Sequence, residues 1–172
     1  SPRWKNTLDK AVEEFSKQRV FQLATIDNIP TPHVRSLIFR KFLVKQSDPS
    51  LPLLLSSTDI RTPKVAQITG ENPAAELAWW IEGTQQQFRI AANVYLVPSP
   101  AHPLHSHFER ALSCSRDGTG LALFKDEDWE SQRLQMFKNM SAHMRASWCR
   151  PVPGSRLKGG QKEAKNWPTR LN

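Results

Sequence analysis

At 172 residues with a hydrophobic share of 38%, the chain has the length for one domain with a real core, and no run approaches the ~20 apolar residues of a membrane span. Its formal charge is +8, yet residues 1–132 carry 15 Lys+Arg against 15 Asp+Glu, whereas residues 133–172 carry nine against Glu163 alone. The excess is therefore a basic tail, which argues against a whole-surface nucleic-acid footprint.

The chain begins Ser1-Pro2 without methionine, as a fragment or processed product would, and its first residues show no basic-then-apolar pattern. Residues 4–17 predict an amphipathic helix, with Trp4, Leu8, Ala11, Val12 and Phe15 on one side, Ser1 as a cap and Pro2 in the first turn. Residues 20–26 read as a strand and Asp27-Asn28 as a turn. A second strand is expected over 33–42, with His33, Arg35, Leu37, Phe39 and Lys41 on one face and Val34, Ser36, Ile38, Arg40 and Phe42 on the other. "SDPSLP" reads as a loop, followed by a third strand, "LLLSS".

Residues 56–64, "SSTDIRTPK", crowd hydroxyls, an arginine and a lysine into one strand-to-helix junction. Thr62 is the expected helix cap, Pro63 the first helical residue, 64–69 the helix and Gly70 its end. A helix start with Thr58, Arg61, Thr62 and Lys64 around it suits a phosphate, because hydroxyls, a forked guanidinium and an ammonium all donate to its oxygens. On spacing alone, a capped turn with solvated charges explains the stretch equally well. Strands follow at 74–82, with Trp79-Trp80 as core and interface packing, and at 86–97, where Phe88, Ile90, Ala92, Val94 and Leu96 alternate with polar positions. Helices are expected at 106–113 and, as one long element, at 126–148; the rest shows no periodicity. The whole reads as a single domain over 1–172, mainly β within an α+β class, with an antiparallel barrel core at about 18–97 and a helical, basic segment at about 98–172.

Three features together carry a resemblance: Arg35 within "RSLIFR", the "STDIRTPK" stretch, and Gln87 and Arg89 within "QQFR" beyond an Asn72-Pro73 pair and a Trp-rich strand. In that order they resemble the pyridoxamine 5′-phosphate oxidase-like family of FMN-binding split barrels. The likeness runs from about residue 4 to 97 and resumes at "RPVPGS", residues 150–155, which is similar to a phrase of a fungal, plant and cyanobacterial branch. The resemblance implies a six-stranded antiparallel FMN-binding split β-barrel with peripheral helices, a homodimer with FMN at its interface, and a small-molecule substrate. It implies Arg35 toward the phosphate and Ser36, Leu37, Ile38 and Phe39 along the flavin ring, with Arg40 closing the segment. It further implies Ser57 and Thr58 on ribityl and phosphate, Arg61, Thr62 and Lys64 on phosphate, and Gln87 with Arg89 nearby.

Three departures stand out. Pro63 occupies the position where the oxidase proper has an arginine before its phosphate lysine. "HSHFERALSCS" lacks the spacing of that enzyme's substrate-phosphate site, and its late Arg-x-His motif has no match. Efficient oxidation of pyridoxine or pyridoxamine 5′-phosphate is therefore not expected, and the substrate and the direction of electron flow stay open. Trp167 and Arg170 are candidate remnants of the family's last flavin contacts. A flavin carrier or sensor is the alternative within the family, and a basic nucleic-acid-binding barrel the alternative outside it. No metal is expected, since His102, His105 and His107 lie in a loop without a well-spaced fourth ligand. Cys114 and Cys149 read as free thiols of a reducing compartment, hence a cytoplasmic protein.

Overall fold

The computed structural model describes residues 1–70 and 73–171. Asn72, part of the motif order above, lies outside them. Helix α1 (Arg3–Glu14) buries Leu8, Ala11 and Val12, three of the five residues its periodicity assigned to the core side. Trp4 stays partly exposed but meets the edge of Phe42, ring centroids 6.0 Å apart. The helix stops before residue 17, because Phe15 leaves helical geometry at φ −110°, ψ 63°. Pro2 itself stands at the N-cap position with no side-chain cap, so Ser1 does not cap the helix.

Five antiparallel strands follow: β1 (Val20–Ile26), β2 (Pro32–Lys45), β3 (Asp48–Ser56), β4 (Ala74–Ile81) and β5 (Gln86–Asn93). They form one sheet in the order β3-β2-β1-β4-β5, which curls as a half-barrel with helices around it. Among the described residues there is no sixth strand. The basic segment over 150–171, which showed no periodicity, forms turns and the short helix α6 (Gly160–Ala164).

Two sequence expectations change within the sheet. "SDPSLP" is mostly strand, because β3 is an edge strand, where Pro49 and Pro52 need not donate to a neighbour on their open side. On β2 the strict alternation fails at Arg40: Phe39 pairs with Ser56 and Lys41 with Leu55, so β2 carries an extra residue there. The bulge swings Phe42 back to the core side, where its ring lies 4.9 Å from Phe39. β5 ends at Asn93 rather than 97, and Val94 makes one last bond, its N–H to the Pro73 carbonyl (2.9 Å).

The main core joins Leu8, Ala11 and Val12 of α1 to Phe21, Leu23, Phe39, Leu77, Trp79 and Ile81 of the sheet. The adjacent tryptophans part company, as strand alternation demands: Trp79 is fully buried, whereas Trp80 is 44% exposed on the other face. A second cluster, Phe108, Leu121, Phe124 and Trp129, packs under the β2–β3 arm against Leu43, Leu53 and Leu55. It ties α3 (His105–Ser113) and α4 (Trp129–Lys138) to the sheet, helped by Lys45–Asp126 (2.9 Å) and Lys41 Nζ donating to Gln132 Oε1 (2.6 Å). The single helix expected over 126–148 is broken after Lys138. Ser141 caps a new helix, α5 (Ala142–Ser147), its hydroxyl accepting from the Met144 N–H at 3.1 Å.

Candidate functional site: a cationic cradle between β3 and α2

The chain leaves β3 at Ser56 and enters the one-turn helix α2 (Lys64–Ile68) through the loop that the sequence singled out. Asp59 organises this loop. Its Oδ1 accepts from the Arg61 backbone N–H (2.9 Å) and from Arg61 Nε (2.9 Å), and its Oδ2 from Nη2 (2.6 Å). The Arg61 guanidinium holds the Asp59 carboxyl below the usual carboxylate range. Thr62 is buried and donates its hydroxyl to the Asp59 carbonyl (2.7 Å); it makes no N-cap bond, so its role is to close the loop rather than cap α2. Gly70 has an ordinary backbone, and the helix ends at Thr69 without needing a left-handed residue.

Lys64 points back into the loop, where its ammonium donates to Thr58 Oγ1 (2.9 Å) and Thr62 Oγ1 (2.8 Å). Its pKa is pushed down, chiefly by burial and then by the charge of Arg35, with Asp59 acting the other way. Arg35 reaches the same end of the sheet from β2. Its Nη1 donates to Thr25 Oγ1 (2.6 Å) and the Leu23 carbonyl (3.1 Å), and its Nη2 to Gln67 Oε1 (2.7 Å) on α2. Thr25 is itself buried and donates to the same Gln67 oxygen (2.7 Å), so one amide oxygen fixes both. Arg40, on the bulge, gives Nε to Ser57 Oγ (3.0 Å). Burial lowers the pKa of both arginines.

Arg35, Arg40, Ser57, Thr58, Thr62 and Lys64 are thus brought together, and Thr25 and Gln67 join them although neither was foreseen. Nothing in sequence spacing marks those two, since only strand pairing and the seating of α2 deliver them. Arg61 faces another way: besides Asp59 it donates to the carbonyls of Trp148 (3.0 Å) and Arg150 (3.1 Å). Four of its five N–H donors are thereby used. Leu37 and Phe39 turn into the core, leaving Ser36 and Ile38 on the opposite face of β2. Gln87 and Arg89 stand exposed on β5, Arg89 paired with Glu76 across the β4–β5 ladder, Nε to Oε1 at 2.6 Å. No contact joins them to the cradle among the described residues.

The charge pattern tests whether an anion fits. Among the described residues, no carboxylate lies within ion-pair distance of Arg35, Arg40 or Lys64. Three part-buried cations bonded to neutral oxygens, with Asp59 the one acidic group whose charge is felt by Lys64, form an electropositive pocket suited to an anion, since a desolvated charge without a close counter-charge is costly. Hydroxyl, guanidinium and ammonium donors together match the oxygens of a phosphate monoester. The histidine group carries no comparable chemistry: His102 Nδ1 accepts from the Leu104 N–H (3.1 Å), and the described residues hold no cluster of three metal-ligating side chains. Both cysteines are free and exposed. No helix among the described residues is long and apolar enough to cross a membrane.

An antiparallel half-barrel with a cationic cradle at its strand-to-helix junction suits a class of protein that binds an anionic ligand there. Residues 1–98 match the family of the pyridoxamine 5′-phosphate oxidase FMN-binding domain, and the chain belongs to that family, whose cofactor is FMN. A curated relative, pyridoxine/pyridoxamine 5′-phosphate oxidase 2 of Arabidopsis thaliana, is 31% identical over 97 residues, 55% of this chain and 46% of that protein. The chain thus spans about half the length of that relative. Among solved structures, a pyridoxamine 5′-phosphate oxidase-related FMN-binding protein of Nostoc punctiforme overlays at a TM-score of 0.70, covering 100% of this chain and 74% of the other. At 23% identity this likeness speaks for the fold.

Proposed function

We propose that the chain is an FMN-dependent oxidoreductase acting as a cytoplasmic homodimer on a small molecule other than a pyridoxine phosphate. The observation that carries this reading is the set of part-buried cations without carboxylate partners, in a chain of an FMN-binding family. When bound, FMN supplies the redox chemistry, and no side chain need act as nucleophile. The work of this chain is to bind and orient. Lys64 and Arg35, with Thr58 and Thr62, would hold the phosphate; Arg40 and Ser57 would serve the ribityl side and Ser36 and Ile38 the ring; Arg61 keeps one N–H to give. Purified protein incubated with FMN should stay yellow through gel filtration, and NADH, NADPH or an oxidisable amine should bleach the flavin. Retained flavin that no donor reduces would make the protein a carrier or sensor; a colourless protein would sink the reading.

The homodimer, with Gln87 and Arg89 offered to the partner's flavin, is supported by the open face of the sheet. There Val34 is 66% exposed, Val20 45% and Trp80 44%, an apolar surface that a second copy would cover. Light scattering of the FMN-loaded protein should give twice the chain mass, and a fully loaded monomer would contradict the dimer.

The substrate exclusion draws support from α3 and the turn after it. Where a second phosphate site is needed, His107, Arg110 and Arg116 stand exposed, and Phe108 is the residue that points inward. With both arginines of this stretch exposed, pyridoxine 5′-phosphate should turn over far below the ordinary enzyme median of about 10 per second. Pyridoxal phosphate formation near that rate would refute the exclusion.

A further inference from the structure

The segment that carries the phrase "RPVPGS", residues 150–155, meets the cradle loop through its backbone: Arg61 Nη2 donates to the Trp148 carbonyl (3.0 Å) and Nη1 to that of Arg150 (3.1 Å). The local sequence holds those carbonyls still. Trp148 is seated against Phe137, ring centroids 5.7 Å apart. Pro151 restricts the backbone of the Arg150 before it. Val152 to Ser155 form a tight turn, closed by the Ser155 N–H on the Val152 carbonyl (3.0 Å). Pro153 stands second in it and Gly154 third, at φ +81°, the left-handed geometry that a type II turn needs there.

From Arg61 the contacts run on without a gap to the donors of the cradle. Arg61 grips the Asp59 carboxylate, a side chain only 13% exposed. The Asp59 carbonyl accepts from the Thr62 hydroxyl (2.7 Å) and from the Thr62 N–H (3.2 Å), and Thr62 Oγ1 in turn accepts from Lys64 Nζ (2.8 Å). On charge alone Asp59 is misplaced, because a carboxylate felt by Lys64 opposes an anion at the same site. Its place is explained if it anchors the loop.

We propose that Asp59 is a positioning residue: clamped by Arg61 to a strap formed by residues 148–155, it fixes Thr62 and Lys64 for the phosphate, so that the order of the strap sets the affinity for FMN. This inference rests on the FMN reading above. It adds a dependence of the cofactor site on a segment outside residues 1–98, the part that matches the family.

FMN and riboflavin are titrated into wild type, Asp59→Ala and Gly154→Val, followed by flavin fluorescence. Loss of a carboxylate would on charge alone tighten FMN binding. The strap requires the opposite sign: Asp59→Ala weakens FMN about tenfold or more and leaves riboflavin unchanged, because only the phosphate needs Thr62 and Lys64 in place. Gly154→Val acts on the turn alone, since a Cβ there meets nothing within 4 Å while the positive φ strains a branched residue. It should weaken FMN about threefold, again sparing riboflavin. FMN binding in Asp59→Ala as tight as in wild type, or tighter, overturns the proposal, and so do equal losses of FMN and riboflavin, the mark of general destabilisation. Should Asp59→Ala not fold, Gly154→Val decides, and an unchanged FMN affinity there overturns the strap. Hydrogen exchange of the apo proteins needs no flavin: Asp59→Ala must speed exchange across 148–155, and Gly154→Val across 57–64. A wild type that binds no FMN refutes the proposed function, and unchanged exchange in either variant overturns the coupling separately.

Discussion

Lys64→Ala is expected to weaken FMN binding about ten- to a hundredfold, because on the proposed reading it removes a charge-assisted hydrogen bond worth roughly 1.5–3 kcal/mol. The ammonium is pre-placed by Thr58 and Thr62, so little ordering is left to do on binding. Riboflavin, which lacks the phosphate, should lose little in the same variant. The pH dependence follows from the depressed pKa of Lys64. A bound phosphate raises that pKa, so binding takes up protons between the pKa of the free protein and that of the complex. FMN affinity therefore falls as pH rises through the free-protein value, which lies below the ordinary 10.5, and Lys64→Ala lacks this component of the fall. Flavin-fluorescence titrations at a series of pH values measure both effects. An affinity unchanged by the substitution would remove Lys64 from the site.

Trp79→Ala costs about 3–5 kcal/mol of stability, the range for deleting a fully buried aromatic ring. Trp79 has no exposed surface, packs on Phe39 and Phe21 at centroid distances of 5.1 and 5.6 Å, and donates Nε1 to the Gln18 carbonyl at 2.9 Å. That bond ties the residues after α1 to β4, so the substitution empties the centre of the core and leaves a carbonyl unpaired. Against a total of about 5–15 kcal/mol, much of the folding free energy would go. Trp80→Ala, on the exposed face of the same strand, should cost about 1 kcal/mol or less in the monomer. Urea unfolding midpoints for the two variants measure the contrast, and equal losses would contradict the placement of the core.

The elements that local pattern controls were legible in the sequence. β1 runs over the residues its alternation marked, and Phe88, Ile90 and Ala92 face inward on β5 as their spacing required. What escaped depends on neighbours far along the chain. Pro49 and Pro52 read as loop because a proline argues against a strand, until an edge position makes it tolerable. The Arg40 bulge exists only in the pairing of β2 with β3, yet it reverses the facing of Phe42. The break between α4 and α5 was signalled by Ser141, a good N-cap lost within an otherwise helical run.

In the candidate cradle, the meeting of Lys64 with Thr58 and Thr62 was legible because one short stretch supplies all three. Thr25 and Gln67 were not, being delivered to Arg35 by tertiary pairing over 10 and 32 residues. Arg61 makes contacts that no local motif signalled. Its residue type suits a phosphate, but the carbonyls it holds lie 87 and 89 residues away.

The most direct test of the central claim is a crystal structure of the FMN-loaded protein. The phosphate should sit with its oxygens within about 3 Å of Lys64 Nζ and of Thr58 Oγ1, with the Arg35 guanidinium facing it. A phosphate bound elsewhere, with Lys64 still donating only to Thr58 and Thr62, would contradict the account.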